Sequence, residues 1–82
     1  MSEKFQCPCC GYKTLREEPP GTYDICPVCR WEDDPIQFAD PSYRGGANSE
    51  SLTEARENFR SFGASSLRDK PNTRPPTEDE ID

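Results

Sequence analysis

Apolar residues recur with helical spacing in one part of the chain, between residues 51 and 63. Four of them follow one another at steps of three, four and three residues: Leu52, Ala55, Phe59 and Phe62. This spacing places them on one side of an α-helix. Ser51 with Glu54 forms a capping-box pattern, and Gly63 stands where a left-handed residue would end the helix. The pattern predicts a helix over about 51–62 that packs its apolar side on the rest of the domain.

The first 40 residues carry turn-forming residues and only weak alternation. Short extended segments at 12–16 and 23–25 flank the run Pro19-Pro20-Gly21, which favours a turn. We expect these two segments to pair as a small antiparallel hairpin. The sequence therefore predicts a loop-rich α+β domain with one short hairpin and one C-terminal helix.

Two further segments lack a periodic pattern. Residues 31–48 are interrupted by proline and glycine, and we expect an ordered loop held by Ile36, Phe38 and Tyr43. Residues 66–82 are polar and proline-bearing, so they cannot bury enough surface to offset the entropy of ordering. We expect one domain over residues 1–65 followed by a flexible, disordered acidic tail, although the acidic end could instead lie over the basic middle of the chain.

Length and composition limit the size of the core. The chain has 82 residues, of which 30% are hydrophobic. A domain of this size buries only about 60–65% of its unfolded surface, so its folding without a covalent or metal cross-link would be marginal. No stretch approaches the roughly 18 apolar residues of a membrane span, and the first residues lack the apolar core of a secretory signal. We expect a soluble cytoplasmic protein that makes no membrane contact.

The charge balance narrows the partners. Ten basic residues stand against sixteen acidic ones, which gives a net charge of −6. This balance argues against nucleic-acid binding, which depends on clustered positive charge. It favours another protein as partner. A basic protein would associate faster with this acidic chain, because opposite charges steer the two molecules together. We expect a monomer.

The cysteines give the strongest chemical signal. Cys7, Cys10, Cys26 and Cys29 form the pattern C-x2-C-x15-C-x2-C, which is typical of a zinc site. Each C-x2-C turn directs two thiolates at one cation, and four sulfurs close a tetrahedral shell. Two disulfides are the rival reading, but the number of cysteines is odd and cytosolic thiols stay reduced.

The pattern favours zinc, with iron as the alternative, because both metals occupy tetrahedral four-sulfur sites. The chain contains no histidine, which removes mixed Cys/His sites and the usual hydrolytic zinc sites. We therefore expect a structural site and no enzymatic activity. The two turns resemble those of rubredoxin, a small acidic iron protein. The interval between the pairs is shorter, however, and Arg30 stands where rubredoxin has glycine, so we expect the second turn to have a different shape.

Three features near the cysteines leave alternatives open. Cys9 could be a bystander, an alternative ligand, or a redox-active thiol that senses oxidation. Trp31 could cover the sulfurs or contribute to a partner-binding surface with the acidic run Glu32, Asp33 and Asp34. The same acidic run could equally be a solvated loop.

Several of these motifs occur together in one family. The run Cys7-Pro8-Cys9-Cys10-Gly11-Tyr12, with Cys26-Pro27-Val28-Cys29 and Tyr43-Arg44-Gly45-Gly46-Ala47-Asn48, resembles the bacterial cysteine-rich CPCC family. The resemblance extends over roughly residues 5–76 and implies a small zinc-binding protein without an established activity. We expect a zinc-ribbon-like or rubredoxin-like pair of cysteine turns that supports protein–protein interaction, in one version as an inhibitor or immunity-type protein. The alternatives are iron electron transfer and redox sensing through Cys9.

Overall fold

Short elements joined by ordered loops make up the fold. The computed structural model describes residues 4–81. Along the chain the elements are β1 (Phe5–Gln6), β2 (Lys13–Leu15), α1 (Pro35–Ala39), α2 (Leu52–Phe62), a 3-10 helix (Leu67–Asn72) and α3 (Glu78–Ile81). Strands β1 and β2 form a two-stranded antiparallel sheet, so the predicted α+β class is confirmed. No helix among residues 4–81 combines the length and the apolar composition that crossing a bilayer requires.

The predicted pairing of the hairpin is wrong. Strand β2 pairs with β1, with Phe5 opposite Leu15, and not with residues 23–25. Ile25 instead bridges Glu32 on the far side of the second cysteine pair. Each cysteine turn reverses the chain, and this reversal brings its own two flanking segments side by side. The structure therefore contains two small ladders, one behind each turn.

Helix α2 agrees with the sequence pattern. The Ser51 hydroxyl accepts from the Glu54 N–H at 3.1 Å, and the Glu54 carboxylate accepts from the Ser51 N–H at 2.9 Å, which completes the capping box. Gly63 ends the helix in the left-handed region with φ 85°. The apolar side faces inward, with Leu52 and Ala55 fully buried.

The core is small and lies around the cysteines. Its buried members are Cys7, Cys9, Leu15, Cys26, Val28, Cys29, Trp31, Leu52 and Ala55. Trp31 is only 1% exposed and is the largest of them. Tyr12 and Phe59 pack against this cluster, with their rings in an edge-to-face arrangement at 6.2 Å between centroids. Because the core is built from cysteine turns and one side of α2, its packing depends on what holds the turns together.

Trp31 and several buried polar side chains order the segment 31–48. The expectation for Ile36, Phe38 and Tyr43 is wrong, because all three are exposed. The segment also contains helix α1, where the Asp34 carboxylate accepts from two backbone N–H groups and Pro35 begins the helix. Gln37, on this helix, is fully buried.

The amide of Gln37 connects α1 to the following loop. Its Nε2 donates to the carbonyl oxygens of Tyr43, Asn48 and Glu50 at 2.9 to 3.1 Å. Its Oε1 accepts from the backbone and side chain of Asn48. A glycine at position 46 leaves room for this side chain, since a Cβ there would lie 3.0 Å from Gln37 Cδ. One buried amide thus holds the loop in place.

The segment 66–82, for which we predict a flexible tail, contains two short helices in the part that the structure describes. Residues 67–72 form the 3-10 helix, and α3 packs against β2. Glu80 is fully buried: its two carboxylate oxygens accept from the Arg74 guanidinium at 2.9 and 2.8 Å, and Lys4 lies at 3.3 Å. The acidic end therefore lies against basic side chains, as the alternative supposed. Asp82 lies outside the described residues.

Replacing Glu80 by glutamine is expected to loosen this end of the chain. Hydrogen bonding to Arg74 lowers the pKa of Glu80 from 4.5 to about 2, against an opposing effect of burial. A lowered carboxyl pKa stabilises the fold above pH 4.5, and this contribution is lost only as the pH falls towards about 2. We expect Glu80→Gln to reduce the free energy of unfolding by about 2 kcal/mol, equally at pH 7 and pH 5.

Urea denaturation of the full chain measures this effect. Glu78→Gln, on the exposed side of the same helix, is the matched control and should change stability by less than about 0.5 kcal/mol. Equal losses of stability in the two variants would show that the buried carboxylate contributes no more to stability than an exposed one.

Candidate metal centre

The first cysteine turn, Cys7–Cys10, is closed by backbone hydrogen bonds and is called the first knuckle. The Cys7 N–H donates to the Tyr12 carbonyl at 2.9 Å, and the Gly11 N–H donates to the Cys7 carbonyl at 2.9 Å. Gly11 has φ 83°, in the left-handed region where glycine carries no Cβ penalty. The geometry turns both sulfurs of the knuckle toward the same side.

The second knuckle, Cys26–Cys29, repeats this pattern. The Cys26 N–H donates to the Trp31 carbonyl at 2.9 Å, and the Arg30 N–H donates to the Cys26 carbonyl at 2.7 Å. Arg30 has φ 72° and occupies the same left-handed position as Gly11. The expectation of a differently shaped second knuckle is therefore wrong, because the hydrogen bonds that close the turn impose one conformation on whichever residue follows it.

Replacing Arg30 by glycine is expected to stabilise the protein. A left-handed conformation costs a residue with a Cβ about 1–2 kcal/mol, whereas glycine adds about 0.5–1 kcal/mol of unfolded-state entropy. The balance predicts a gain of about 0.5–1 kcal/mol in the free energy of unfolding, seen as a higher urea midpoint.

Gly11→Ala provides the reverse test at the equivalent position. No heavy atom lies within 4 Å of the Cβ that this change adds, so only the backbone conformation is affected. We expect a loss of about 1 kcal/mol. A loss on Arg30→Gly would contradict the assignment of strain to this position.

The two knuckles bring four sulfurs together. The Sγ atoms of Cys7, Cys10, Cys26 and Cys29 all lie within 4.8 Å of one another. Cys7 Sγ lies 3.6 Å from Cys29 Sγ, and Cys10 Sγ lies 3.7 Å from Cys26 Sγ. Sulfurs placed at the usual Zn–S distance of about 2.3 Å on a regular tetrahedron are about 3.8 Å apart. The spacing fits a tetrahedral four-sulfur metal site and is too long for disulfides, whose sulfurs lie about 2.05 Å apart.

Hydrogen bonds from neighbouring groups reach the sulfurs. Thr14, a buried residue of β2, has its hydroxyl 2.9 Å from Cys26 Sγ. The Cys9 backbone N–H lies 3.4 Å from Cys7 Sγ. Such donors spread the negative charge of coordinating thiolates and fix their orientation. Sequence reasoning missed Thr14, because a threonine in a strand is too common to signal a role.

The four thiols have different pKa values, some lowered and some raised from the usual value. Hydrogen bonds with Cys10, Cys29 and Cys7, with a smaller contribution from Thr14, lower the pKa of Cys26 despite its burial. The hydrogen bond to Cys26 raises the pKa of Cys10. A cation that takes all four sulfurs must therefore displace thiol protons, and its binding will strengthen as the pH rises.

Cys9 lies beside the four-sulfur cluster but is not part of it. Its side chain is 8% exposed and belongs to the buried core. Among residues 4–81, the group of side chains that could hold a metal comprises the other four cysteines. Burial limits the access that a redox-active thiol needs.

The residues of the predicted partner-binding surface, Trp31, Glu32, Asp33 and Asp34, are mostly buried. Trp31, Asp33 and Asp34 are buried, and only Glu32 is partly exposed. Trp31 packs with the cysteines, in line with the alternative that it covers them. The Asp34 carboxylate accepts hydrogen bonds from the backbone N–H groups of Ile36, Gln37 and Ala47, so its oxygens already have partners within the domain.

Comparison with known proteins agrees with this geometry. No protein of curated function matches the chain at a significant level. A family model described as "Cysteine-rich CPCC" matches residues 5–80, which includes both knuckles, helix α2 and nearly all of the C-terminal segment. With almost its whole length matched, the chain belongs to the cysteine-rich CPCC family.

Proposed function

We propose that this protein binds one zinc ion through Cys7, Cys10, Cys26 and Cys29, and that the zinc is a structural scaffold for interaction with another protein. The spacing of the four sulfurs, all within 4.8 Å of one another and 3.6 and 3.7 Å apart in two of the pairs, carries the proposal. Four thiolates complete a tetrahedral shell and leave no position for a substrate. The proposal therefore includes no enzymatic activity.

The surroundings of the sulfurs support a structural role. Cys7, Cys26 and Cys29 are buried, and with Cys9 they form much of the small core. A cation at this position would join the two knuckles, which have no strand pairing with each other among residues 4–81. We place the protein in the reducing cytoplasm, where free thiolates are available to the metal.

Native mass spectrometry with metal analysis tests the metal. The full chain is purified without added metal or chelator, and free thiols are titrated in parallel. One zinc per chain, with five reactive thiols after the metal is chelated and the chain is denatured, supports the proposal. A chain that retains no metal, or that forms two disulfides under reducing purification, would overturn it.

Iron is the second candidate, and the equivalence of the two knuckles favours it. Arg30 adopts the same left-handed geometry as Gly11, so the substitution that separates this chain from rubredoxin does not change the turn. Cys10 is partly exposed and offers a short route for electrons to the surface. Bound iron with visible colour in the same experiment would make electron transfer the better proposal.

Charge and exposed apolar side chains support an interaction role. The net charge of −6 suits a basic partner, as an inhibitor or immunity-type protein would have. Ile36 and Phe38 of α1 are 60% and 41% exposed. Exposed apolar patches with a polar rim are a common feature of protein–protein interaction sites.

Pulldown from the native host at low salt tests the interaction. We expect the wild type to recover a basic protein in a one-to-one ratio at low salt. The complex should be lost at high salt, because salt screens the attraction between exposed charges of the two proteins. The double variant Ile36→Ser, Phe38→Ser keeps the net charge and is the matched control. Failure to recover any basic protein at low salt would end the interaction proposal without affecting the metal proposal.

A further inference from the structure

Asp24 and Asp33 lie directly opposite each other in the ladder behind the second knuckle. Ile25 bridges Glu32 in antiparallel fashion, so the adjacent pair in the register is Asp24 with Asp33. The Asp33 N–H donates to the Asp24 carbonyl at 3.0 Å, which confirms the pairing. Residues directly opposite in an antiparallel pair share a face, with Cβ atoms about 4.5–5.5 Å apart, and like charges there repel.

Each of these carboxylates has one buried oxygen without a hydrogen bond. Asp33 is 0% exposed, and its Oδ2 accepts from the Thr22 N–H at 2.9 Å. Among residues 4–81, Asp33 Oδ1 and Asp24 Oδ2 are the two buried side-chain oxygen or nitrogen atoms that have no partner. Two such atoms on directly opposite residues point to a common cause, since buried polar atoms in native proteins are almost always satisfied.

The protein supplies little positive charge to this pair. The guanidinium of Arg16 lies 3.6 Å from Asp24 Oδ1, and the Arg16 side chain is 83% exposed. No salt bridge to Asp33 occurs among the described residues. The neighbouring Asp34 is different, because three backbone N–H groups satisfy its carboxylate. An isolated buried carboxylate is costly unless a charge or several donors compensate it.

We propose that Asp24 Oδ2 and Asp33 Oδ1 bind a hard divalent cation such as Ca2+, at a second metal site separate from the four cysteines. A divalent cation neutralises both carboxylates and satisfies both orphan oxygens at once. Oxygen ligands favour Ca2+ or Mg2+ over the thiophilic metals that the cysteines select. This site does not depend on the proposed function.

Isothermal titration with Ca2+, and separately with Mg2+, tests the site on the full chain carrying its purified metal. We expect one Ca2+ per chain with a dissociation constant on the order of 1 mM or lower. At ten times that concentration the melting temperature should rise by about 6–11 °C. The content of zinc or iron, measured after titration, should not change.

Asp33→Asn is the decisive variant, because the amide keeps an oxygen acceptor for the Thr22 N–H while the charge is removed. We expect this variant to bind Ca2+ at least tenfold more weakly than the wild type. Asp24→Asn should show the same loss of affinity and replaces Asp33→Asn in the test if that variant does not fold. Glu57→Gln, an exposed change on α2, should bind Ca2+ like the wild type. The proposal is overturned if 10 mM Ca2+ and 10 mM Mg2+ give no heat and no melting shift, or if Asp33→Asn binds as well as the wild type.

Discussion

Replacing Cys29 by serine is expected to abolish cooperative unfolding of the N-terminal half of this protein. Cys29 is fully buried, and its sulfur lies 3.6 Å from that of Cys7 in the other knuckle. Structural zinc contributes about 10 kcal/mol or more to small domains at neutral pH, which exceeds the stability of most domains of this size. With three sulfurs the shell is incomplete, and the two knuckles lose their link. Thermal unfolding followed by circular dichroism, with metal content measured on the same samples, tests this expectation.

Cys9→Ser is the matched control for this experiment. Cys9 lies in the same knuckle as Cys7 and Cys10 and is also buried, yet its sulfur is outside the cluster. We expect this variant to retain one metal per chain and to melt cooperatively, with a loss of about 1 kcal/mol from burying a hydroxyl. Removing the metal from the wild type with excess chelator should reproduce the Cys29→Ser result. Cooperative melting of Cys29→Ser would falsify a structural role for the site.

The features that sequence could predict are those encoded locally. Ser51, Glu54 and Gly63 specify the ends of helix α2 through bonds within one or two turns of backbone, and the structure has them as expected. The four metal-ligating candidates were identified because a C-x2-C turn constrains its own two sulfurs. Neither inference required knowledge of how distant segments pack.

The pairing of strands could not be predicted in the same way. Alternation along residues 12–16 indicates a strand but does not identify its partner, and the structure selects Phe5 over the segment 23–25. The choice follows from the knuckles, since each turn places its own flanks in register. The segment 23–25 cannot pair with β2, because Ile25 already pairs with Glu32 on the other side of the second knuckle.

Buried polar residues were the other source of error. Sequence reasoning places aspartate, glutamate and glutamine at the surface, where they occur most often. In this chain Asp33, Gln37 and Glu80 are fully buried, while Ile36 and Phe38 are exposed. A chain with so few apolar residues orders its loops and its C-terminal end through hydrogen bonds and ion pairs, and such networks leave no periodic pattern in the sequence.

Replacing Gln37 by methionine is therefore expected to be the most damaging change away from the cysteines. Methionine has a similar length but cannot hydrogen-bond, so the carbonyl oxygens of Tyr43, Asn48 and Glu50 would lose their shared donor. Each buried group left without a partner costs about 1–3 kcal/mol, and partial rearrangement of the loop offsets part of that cost. We expect the free energy of unfolding to fall by about 3 kcal/mol.

Urea denaturation of the metal-loaded protein, with Gln6→Met as control, separates this effect from a general loss of polarity. Gln6 is the only other glutamine in the chain and is exposed on β1, so its replacement should change stability by less than about 0.5 kcal/mol. The metal content of Gln37→Met should stay at one per chain, because the amide of Gln37 donates to Tyr43, Asn48 and Glu50 and to neither knuckle. A loss of metal together with stability would mean that the loop and the cysteine cluster fold as one unit. Loss of stability alone would mean that the buried amide orders the loop independently of the metal, and a stability change below about 1 kcal/mol would contradict the role assigned to Gln37.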